Sequence, residues 1–152
     1  MLRRNLPQIR VGREACHFAR HSIIETRADL QEATKRAART PAARTIGERA
    51  KAVDATLAAV QDELVQMNLR DGNDVLSYPA KLNNFLAALA SVVAATDIAP
   101  TAQSYDVFTD LSARLDRQLA RLDEILDRDV PAFNKAMDDQ HVPAIPARTR
   151  RK

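Results

Sequence analysis

One face of the predicted first helix carries residues with metal-ligand spacing. Glu14, His17, His21 and Glu25 are three, four and four residues apart, so a helix would bring them to one side. Two histidines at i and i+4 can chelate Zn²⁺, and Glu-x-x-His is half of a di-iron pattern in helical bundles. The di-iron pattern needs a second Glu-x-x-His, which the sequence lacks. We therefore predict a polar surface face and no cofactor, with His17 and His21 as the metal candidates to test.

The remaining reactive side chains do not form a catalytic pattern. Cys16 adjoins His17, but side chains at i and i+1 diverge on a helix, and no third group orients the histidine. A single cysteine also excludes an internal disulfide. Neighbouring carboxylates such as Asp138-Asp139 need a pocket before they can act as an acid–base pair. We predict no catalytic residues, and therefore a protein that is not an enzyme.

The composition favours helices over strands. The chain has 152 residues, of which 27 are alanine and three are glycine. Alanine has a high helix propensity but buries little area, so long helices must pack closely along narrow apolar seams. A chain of this length suits one domain with one core. We predict an all-α, antiparallel up-down bundle of three to four long helices plus a short C-terminal capping helix.

The first two helices are predicted from apolar spacing. The first runs from about 14 to 38, with Phe18, Ile23 and Ile24 among its core residues. The second runs from about 42 to 69 and ends before Gly72, which suits a left-handed terminating position. Its seam follows strict two-per-heptad spacing, which is typical of close helix packing. The seam consists of Ile46, Ala50, Val53, Leu57, Val60, Leu64 and Met67.

The third and fourth helices are predicted to form a hairpin. Pro79 opens the third helix, which ends near Asp97, and Thr101 is the expected N-cap of the fourth. A connection this short places the two helices antiparallel. The buried stripe of the third helix is predicted to be Leu82, Phe85, Leu86, Leu89, Val92 and Val93.

A short last helix is predicted to cover one end of the bundle. The third helix is about 10 residues shorter than its neighbours, which leaves roughly 15 Å of seam uncovered. Pro131 can start a new helical turn, and Phe133 and Met137 follow it at helical spacing. We therefore predict that residues 130–138 cap the bundle.

Charge is distributed unevenly along the chain, although the net charge is only +3. Residues 1–51 carry 12 Lys/Arg against 5 Asp/Glu, whereas residues 52–140 carry 7 against 15. We expect the basic ends to lie against the acidic middle of the same molecule. Nucleic acid is disfavoured as a partner because that acidic middle would repel phosphate. The predicted organisation is a disordered lead-in at 1–13, a helical bundle domain at 14–140 and a basic disordered tail at 141–152.

Targeting signals are not evident in the sequence. No run approaches the roughly 20 apolar residues of a membrane-spanning helix. The N-terminus has arginines but lacks the apolar region of a secretory signal. The chain as written is therefore expected to be cytoplasmic and to have no membrane span.

Several short helix and turn motifs follow one another in the second half of the chain. They are YPAKL at 78–82, APT at 99–101, LSARLD at 111–116, DVPAFN at 129–134 and VPAI at 142–145. In these motifs the chain resembles the C-terminal helical segment of large bacterial proteins built on BNR-repeat, sortilin-type β-propellers, which are often labelled glycosyl hydrolases. The resemblance covers a little under half of the chain.

This resemblance implies a helical fold and an accessory role, without the propeller itself. Such propellers have repeated Asp-box strands with tryptophan, and this chain has no tryptophan. We expect a non-catalytic helical-bundle accessory or interaction module, whose partner is a β-propeller domain or a second copy of the chain. The alternative is a small basic nucleic-acid-associated helical protein, using the arginines at both ends. Because the resembled family is largely extracytoplasmic, the localisation stays open.

Overall fold

The protein is an all-α helical bundle. The structure, a computed structural model, describes residues 6–67, 78–95 and 101–149. The regular structure in these ranges is helical, which confirms the predicted fold class. The helices are α1 (Leu6–Ala37), α2 (Ala43–Leu64), α3 (Leu82–Ala95), α4 (Ala102–Glu124) and α5 (Val130–Asp138), with a π-helical segment (Ile125–Asp129) between α4 and α5.

Helix α1 packs against α2, α3 and α4 and is therefore central to the bundle. It begins at Leu6, so the predicted disordered lead-in at 1–13 is wrong over residues 6–13. Ile9 is fully buried in the core, and Pro7 lies in the first turn, where its missing N–H costs nothing. Ile23 is buried as predicted, but the adjacent Ile24 is exposed because successive helical residues point about 100° apart.

Helix α2 confirms most of the heptad seam. Its buried side chains include every predicted position from Ile46 to Leu64. The helix ends five residues earlier than predicted, because the backbone at Val65 is extended (φ −141°, ψ 136°). The side chain of Gln66 donates a hydrogen bond to the carbonyl of Pro79 at 3.0 Å and so links the outgoing chain to the approach to α3. Met67 lies outside the helix and is exposed, and the predicted break at Gly72 lies outside the described residues.

Helices α3 and α4 pack against each other, and each has a defined start. Helix α3 begins at Leu82 rather than Pro79, because the Lys81 amide donates to Asn84 Oδ1 at 3.1 Å and caps the first turn. The hydroxyl of Thr101 accepts from the Ser104 amide at 3.3 Å, which confirms Thr101 as the N-cap of α4. The predicted end of the third helix near Asp97 lies outside the described residues.

Helix α5 continues directly from α4 instead of starting after a turn. The junction residues Glu124, Ile125 and Val130 all keep right-handed helical dihedrals. The Val130 amide donates to the Ile125 carbonyl, five residues back, which widens the helix just before Pro131. A proline ring clashes with the carbonyl four residues earlier, and the wider turn relieves that clash. The capping helix is thus present, but it extends α4 and packs against α2.

The C-terminal segment 142–149 is ordered against the bundle. Val142 and Ile145 are buried, and the Asn134 side chain exchanges two hydrogen bonds of 2.9 Å with the backbone of Ile145. The prediction of a disordered tail at 141–152 is therefore wrong over residues 141–149. Sequence reasoning missed this packing because two apolar residues on either side of a proline give no periodic signal.

Candidate interaction surface

The two metal candidates lie on the surface of α1, where they line a cleft of about 480 Å³ together with Glu25 and Arg148. His17 and His21 are both exposed, and His21 Nε2 lies 3.3 Å from Glu25 Oε1. The two carboxylates of the predicted cluster are held by arginines. Glu14 pairs with Arg10 at 3.0 Å, and Glu25 pairs with Arg148 at 2.7 Å. Within the described ranges, no three His, Cys, Asp or Glu side chains are grouped closely enough to hold a metal ion.

Cys16 is buried in the core, and its thiol has low reactivity. Its side chain has no exposed surface, and burial raises the pKa of the thiol to about 11. The thiolate is the nucleophilic form, so at neutral pH this residue remains an unreactive thiol.

Helix α3 has an unusual surface for a helix on the outside of a bundle. None of its 14 residues is charged. Leu82, Leu86, Leu89 and Val93 face the core and are buried. Phe85 and Val92 are 41% and 57% exposed, so the prediction that they belong to the buried stripe is wrong. A surface helix normally has a polar outer side, and a helix that is apolar all round is normally covered on both sides.

Helix α4 completes a shallow apolar groove beside that exposed side of α3. The groove has a volume of about 530 Å³. Val107 is 47% exposed in it, and the Arg114 guanidinium lies 5.9 Å from the centre of the Phe85 ring. Arg114 also pairs with Asp110 at 3.9 Å. We call this surface the α3–α4 face and define it by Phe85, Ala88, Val92, Asp106, Val107, Asp110 and Arg114.

A second groove, of about 720 Å³, lies between α1, α3 and α4. Gly12 forms part of its floor, where an added Cβ would lie 3.4 Å from Leu115 Cδ2. Apolar side chains line most of the groove, while Glu14 and Asp116 place carboxylates along it. Such a groove suits an apolar ligand with a cationic or hydrogen-bond-donating end.

A basic stripe on α1 lines a third cleft, of about 610 Å³. Arg10, Arg13, His17 and Arg20 follow one another at spacings of three, four and three residues, so they share one side of the helix. Glu14 lies in the same cleft and already pairs with Arg10. The stripe therefore carries a modest excess of positive charge that could attract an anion.

Comparisons with known proteins identify no relative of this chain: no family model, no curated protein and no solved structure matches it. Among the helices that the structure describes, none is long and apolar enough to cross a membrane.

Proposed function

We propose that this chain is a non-catalytic helical-bundle module that binds a protein partner through the α3–α4 face. The observation that supports the proposal is the apolar outer side of α3. Phe85 and Val92 stay exposed on a helix without a charged residue, although burying one such side chain fully contributes about 1.5–3 kcal/mol. A partner that covered this side would gain that stabilisation.

The composition of the face also supports protein binding. Binding interfaces typically have an apolar centre with at least one aromatic anchor and a polar rim. On this face, Phe85 and Val92 supply apolar surface, while Asp106, Asp110 and Arg114 supply charges. Arg114 lies over the Phe85 ring, so a cation already shields one face of the aromatic side chain.

The resemblance to BNR-repeat, sortilin-type proteins suggests one class of partner, a β-propeller domain. In that interpretation the bundle is an accessory module, and whatever glycan chemistry a propeller performs belongs to the propeller. This chain supplies the packing surface.

Site-specific photo-cross-linking tests the proposal. A benzophenone amino acid at position 92 should form adducts in cells, because a partner would lie within reach. The same group at position 51 is the matched control, since Lys51 is exposed on α2, away from the face. Adducts from position 92 should disappear when Phe85→Glu is added to the same chain. Equal yields from positions 92 and 51 would contradict the proposal.

A second candidate function is nucleic-acid binding by the basic stripe on α1. The shared side of Arg10, Arg13 and Arg20 is the observation that favours it. Binding through phosphates would weaken steeply with salt and would be lost in Arg13→Glu/Arg20→Glu. Arg117→Glu is the control, because Arg117 is an exposed arginine on α4. Absence of a gel shift at low salt would eliminate this function.

A further inference from the structure

The α3–α4 face has two matching halves. Phe85 of α3 lies beside Arg114 of α4, and seven residues further along α3 Val92 lies in the same groove as Val107, seven residues earlier in α4. Seven residues are two helical turns, or about 10.5 Å. The two pairs are therefore equally far from a midpoint of the face. At this midpoint α3 has a small residue, Ala88, and α4 has a charged residue, Asp110.

We propose that the partner of this face is a second copy of the chain, an inference that rests on the proposed function. In the dimer a twofold axis lies in the interface and crosses the helices between Ala88 and Asp110. The axis brings Phe85 of each copy against Val92 of the other. It also brings Asp106, four residues before Asp110, close to Arg114 of the other copy, four residues after it.

Charge complementarity favours a second copy over another occupant. An isologous interface must be complementary to itself, so each charge needs an opposite charge at the symmetry-related position. Asp106 and Arg114 meet that requirement. Each Arg114 would lie between its own Asp110, at 3.9 Å, and the Asp106 of the other copy. The two Asp110 carboxylates near the axis are therefore each accompanied by an arginine.

Side-chain size at the centre of the face also fits a helix-on-helix contact. Ala88 is exposed at the middle of α3, between Phe85 and Val92. Helix axes in contact are 8–10 Å apart, and the closest approach needs a small side chain. Alanine at the crossing point lets two α3 helices meet while the larger residues interlock on either side.

The size of the face predicts a weak dimer. Helix α3 has 14 residues, which gives a face about 21 Å long and, across two helices, about 20 Å wide. This area is at the low end for specific interfaces, so we expect dissociation in the micromolar range or above. Sedimentation equilibrium should show the average mass rising from one chain towards two between about 1 μM and about 1 mM. A single-chain mass throughout this range would overturn the second-copy proposal.

Charge reversal tests the register of the two copies. Asp106→Arg and Arg114→Asp should each weaken the dimer at least tenfold, because each puts like charges at the symmetry-related positions. An equimolar mixture of the two variants should recover dimerisation, since the guanidinium introduced at position 106 of one chain would then meet the carboxylate introduced at position 114 of the other. Unchanged dimerisation of the single variants, or no recovery in the mixture, would overturn the register.

Cysteine cross-linking tests the axis without altering charge. Ala88→Cys should form a covalent dimer rapidly, because the two copies of this residue face each other at the axis. Phe85→Cys should not cross-link to itself, because its two copies would be about 10 Å apart, beyond the reach of a disulfide. Mixed with Val92→Cys, it should cross-link. The native Cys16 is buried and does not interfere, and Lys51→Cys is the negative control.

The photo-cross-link from position 92 separates this proposal from the proposed function. An adduct with twice the mass of the chain supports both. An adduct of another mass that Phe85→Glu abolishes overturns the second copy and leaves protein binding through the face. No adduct above the position-51 control overturns both.

Discussion

The half of the bundle built from α1, α2 and α5 differs from the α3–α4 hairpin in how its surfaces are used. In the first half, most apolar side chains apart from Val11 and Ile24 face inwards, and charges on neighbouring helices are paired. Arg27 of α1 donates to Asp54 of α2 at 2.7 Å and to Gln61 at 2.9 Å. In the hairpin, apolar residues face both ways, and Phe85 and Val92 remain exposed. The difference indicates that the hairpin gathers its exposed apolar side chains at one groove, the α3–α4 face.

Replacing a phenylalanine by alanine should change the free energy of unfolding very differently in the two regions, and this is the largest difference that we expect between them. The side chain of Phe133 is only 2% exposed, and its helix α5 packs against α2. Phe133→Ala should therefore lower the free energy of unfolding by about 3–5 kcal/mol. Phe85→Ala should cost about 1 kcal/mol or less at low protein concentration, because much of its ring is already in water. Urea unfolding of both variants measures the difference. Equal losses would break the distinction between the two regions.

The pH dependence of the free energy of unfolding should reflect the burial of Cys16 in the core of the first half. Burial raises the pKa of Cys16 from 9.0 to about 11, so the folded state favours the thiol. This contribution to stability is complete below pH 9 and is lost as the pH rises through about 11, amounting to roughly 2 kcal/mol.

Urea unfolding from pH 8 to 11 should show this loss, and Cys16→Ala should flatten that part of the profile. A thiol reagent at pH 8 should react with the unfolded chain much faster than with the native protein. Rapid labelling of the native protein would show that this part of the core is open.

The polar clamp between α1 and α2 should contribute less than the apolar core. Arg27→Ala should cost about 1–2 kcal/mol, because the guanidinium holds Asp54 in a two-pronged contact at 2.7 and 3.2 Å. Hydrogen bonding to Asp54 raises the pKa of Arg27, so its contribution is present over the whole neutral range and is lost only in strong alkali.

A double-mutant cycle with Asp54→Asn isolates the pairwise energy of this clamp. The matched surface pair is Arg44 with Glu48, 3.8 Å apart and highly exposed, which should give a coupling near zero. Similar couplings for the two pairs would mean that the clamp is only a surface contact.

The smallest expected effect concerns the turn after α5. His141 has a left-handed backbone (φ 56°), and the Val142 amide donates to the Met137 carbonyl at 3.1 Å, which closes a Schellman turn. Glycine adopts this conformation without a steric penalty, so His141→Gly should stabilise the fold by up to about 1 kcal/mol. Thermal unfolding measures the shift, and Gln140→Gly is the control at a neighbouring position. A loss of stability would show that the His141 side chain contributes a contact.

Periodicity predicted the buried side of α2 well and that of α3 poorly, for one physical reason. In α2, apolar and polar residues alternate with helical spacing, and this pattern identifies the buried side. The seam from Ile46 to Leu64 can therefore be predicted from the sequence. In α3 almost every residue is apolar, so the pattern identifies a helix but not its inner side. The sequence therefore predicts that Phe85 and Val92 are buried, whereas the structure shows them exposed. The apolar residues of α3 are more numerous than one side of a helix can bury, and this surplus indicates an apolar outer surface.

The packing of the chain ends could not be predicted from local pattern. Ile9 anchors the start of α1, and a single isoleucine gives no period. At the other end, Arg148 reaches Glu25 and Asp29 on α1, more than a hundred residues away, with contacts of 2.7 and 2.8 Å. The basic C-terminus thus meets acidic residues of the basic N-terminal half rather than the acidic middle, a pairing that only the tertiary structure determines.

The π-helical segment before Pro131 sets the winding of the helical stretch formed by α4 and α5. Ile125 aside, the buried residues from Leu111 to Met137 return to the core at intervals of four, four, three, four, four, three and four residues, or seven turns over 26 residues. A regular α-helix would complete about 7.2 turns over that distance and would carry Met137 about 80° away from the core. The five residues of the π-helical segment turn through a smaller angle per residue, which removes that excess. The buried side chains of α4 and α5 therefore stay on one line. Deleting a single residue from 125–129 would leave 25 residues between Leu111 and Met137, about 6.9 turns of a regular α-helix, and should therefore remove the wide turn while keeping α5 within about 20° of its present orientation.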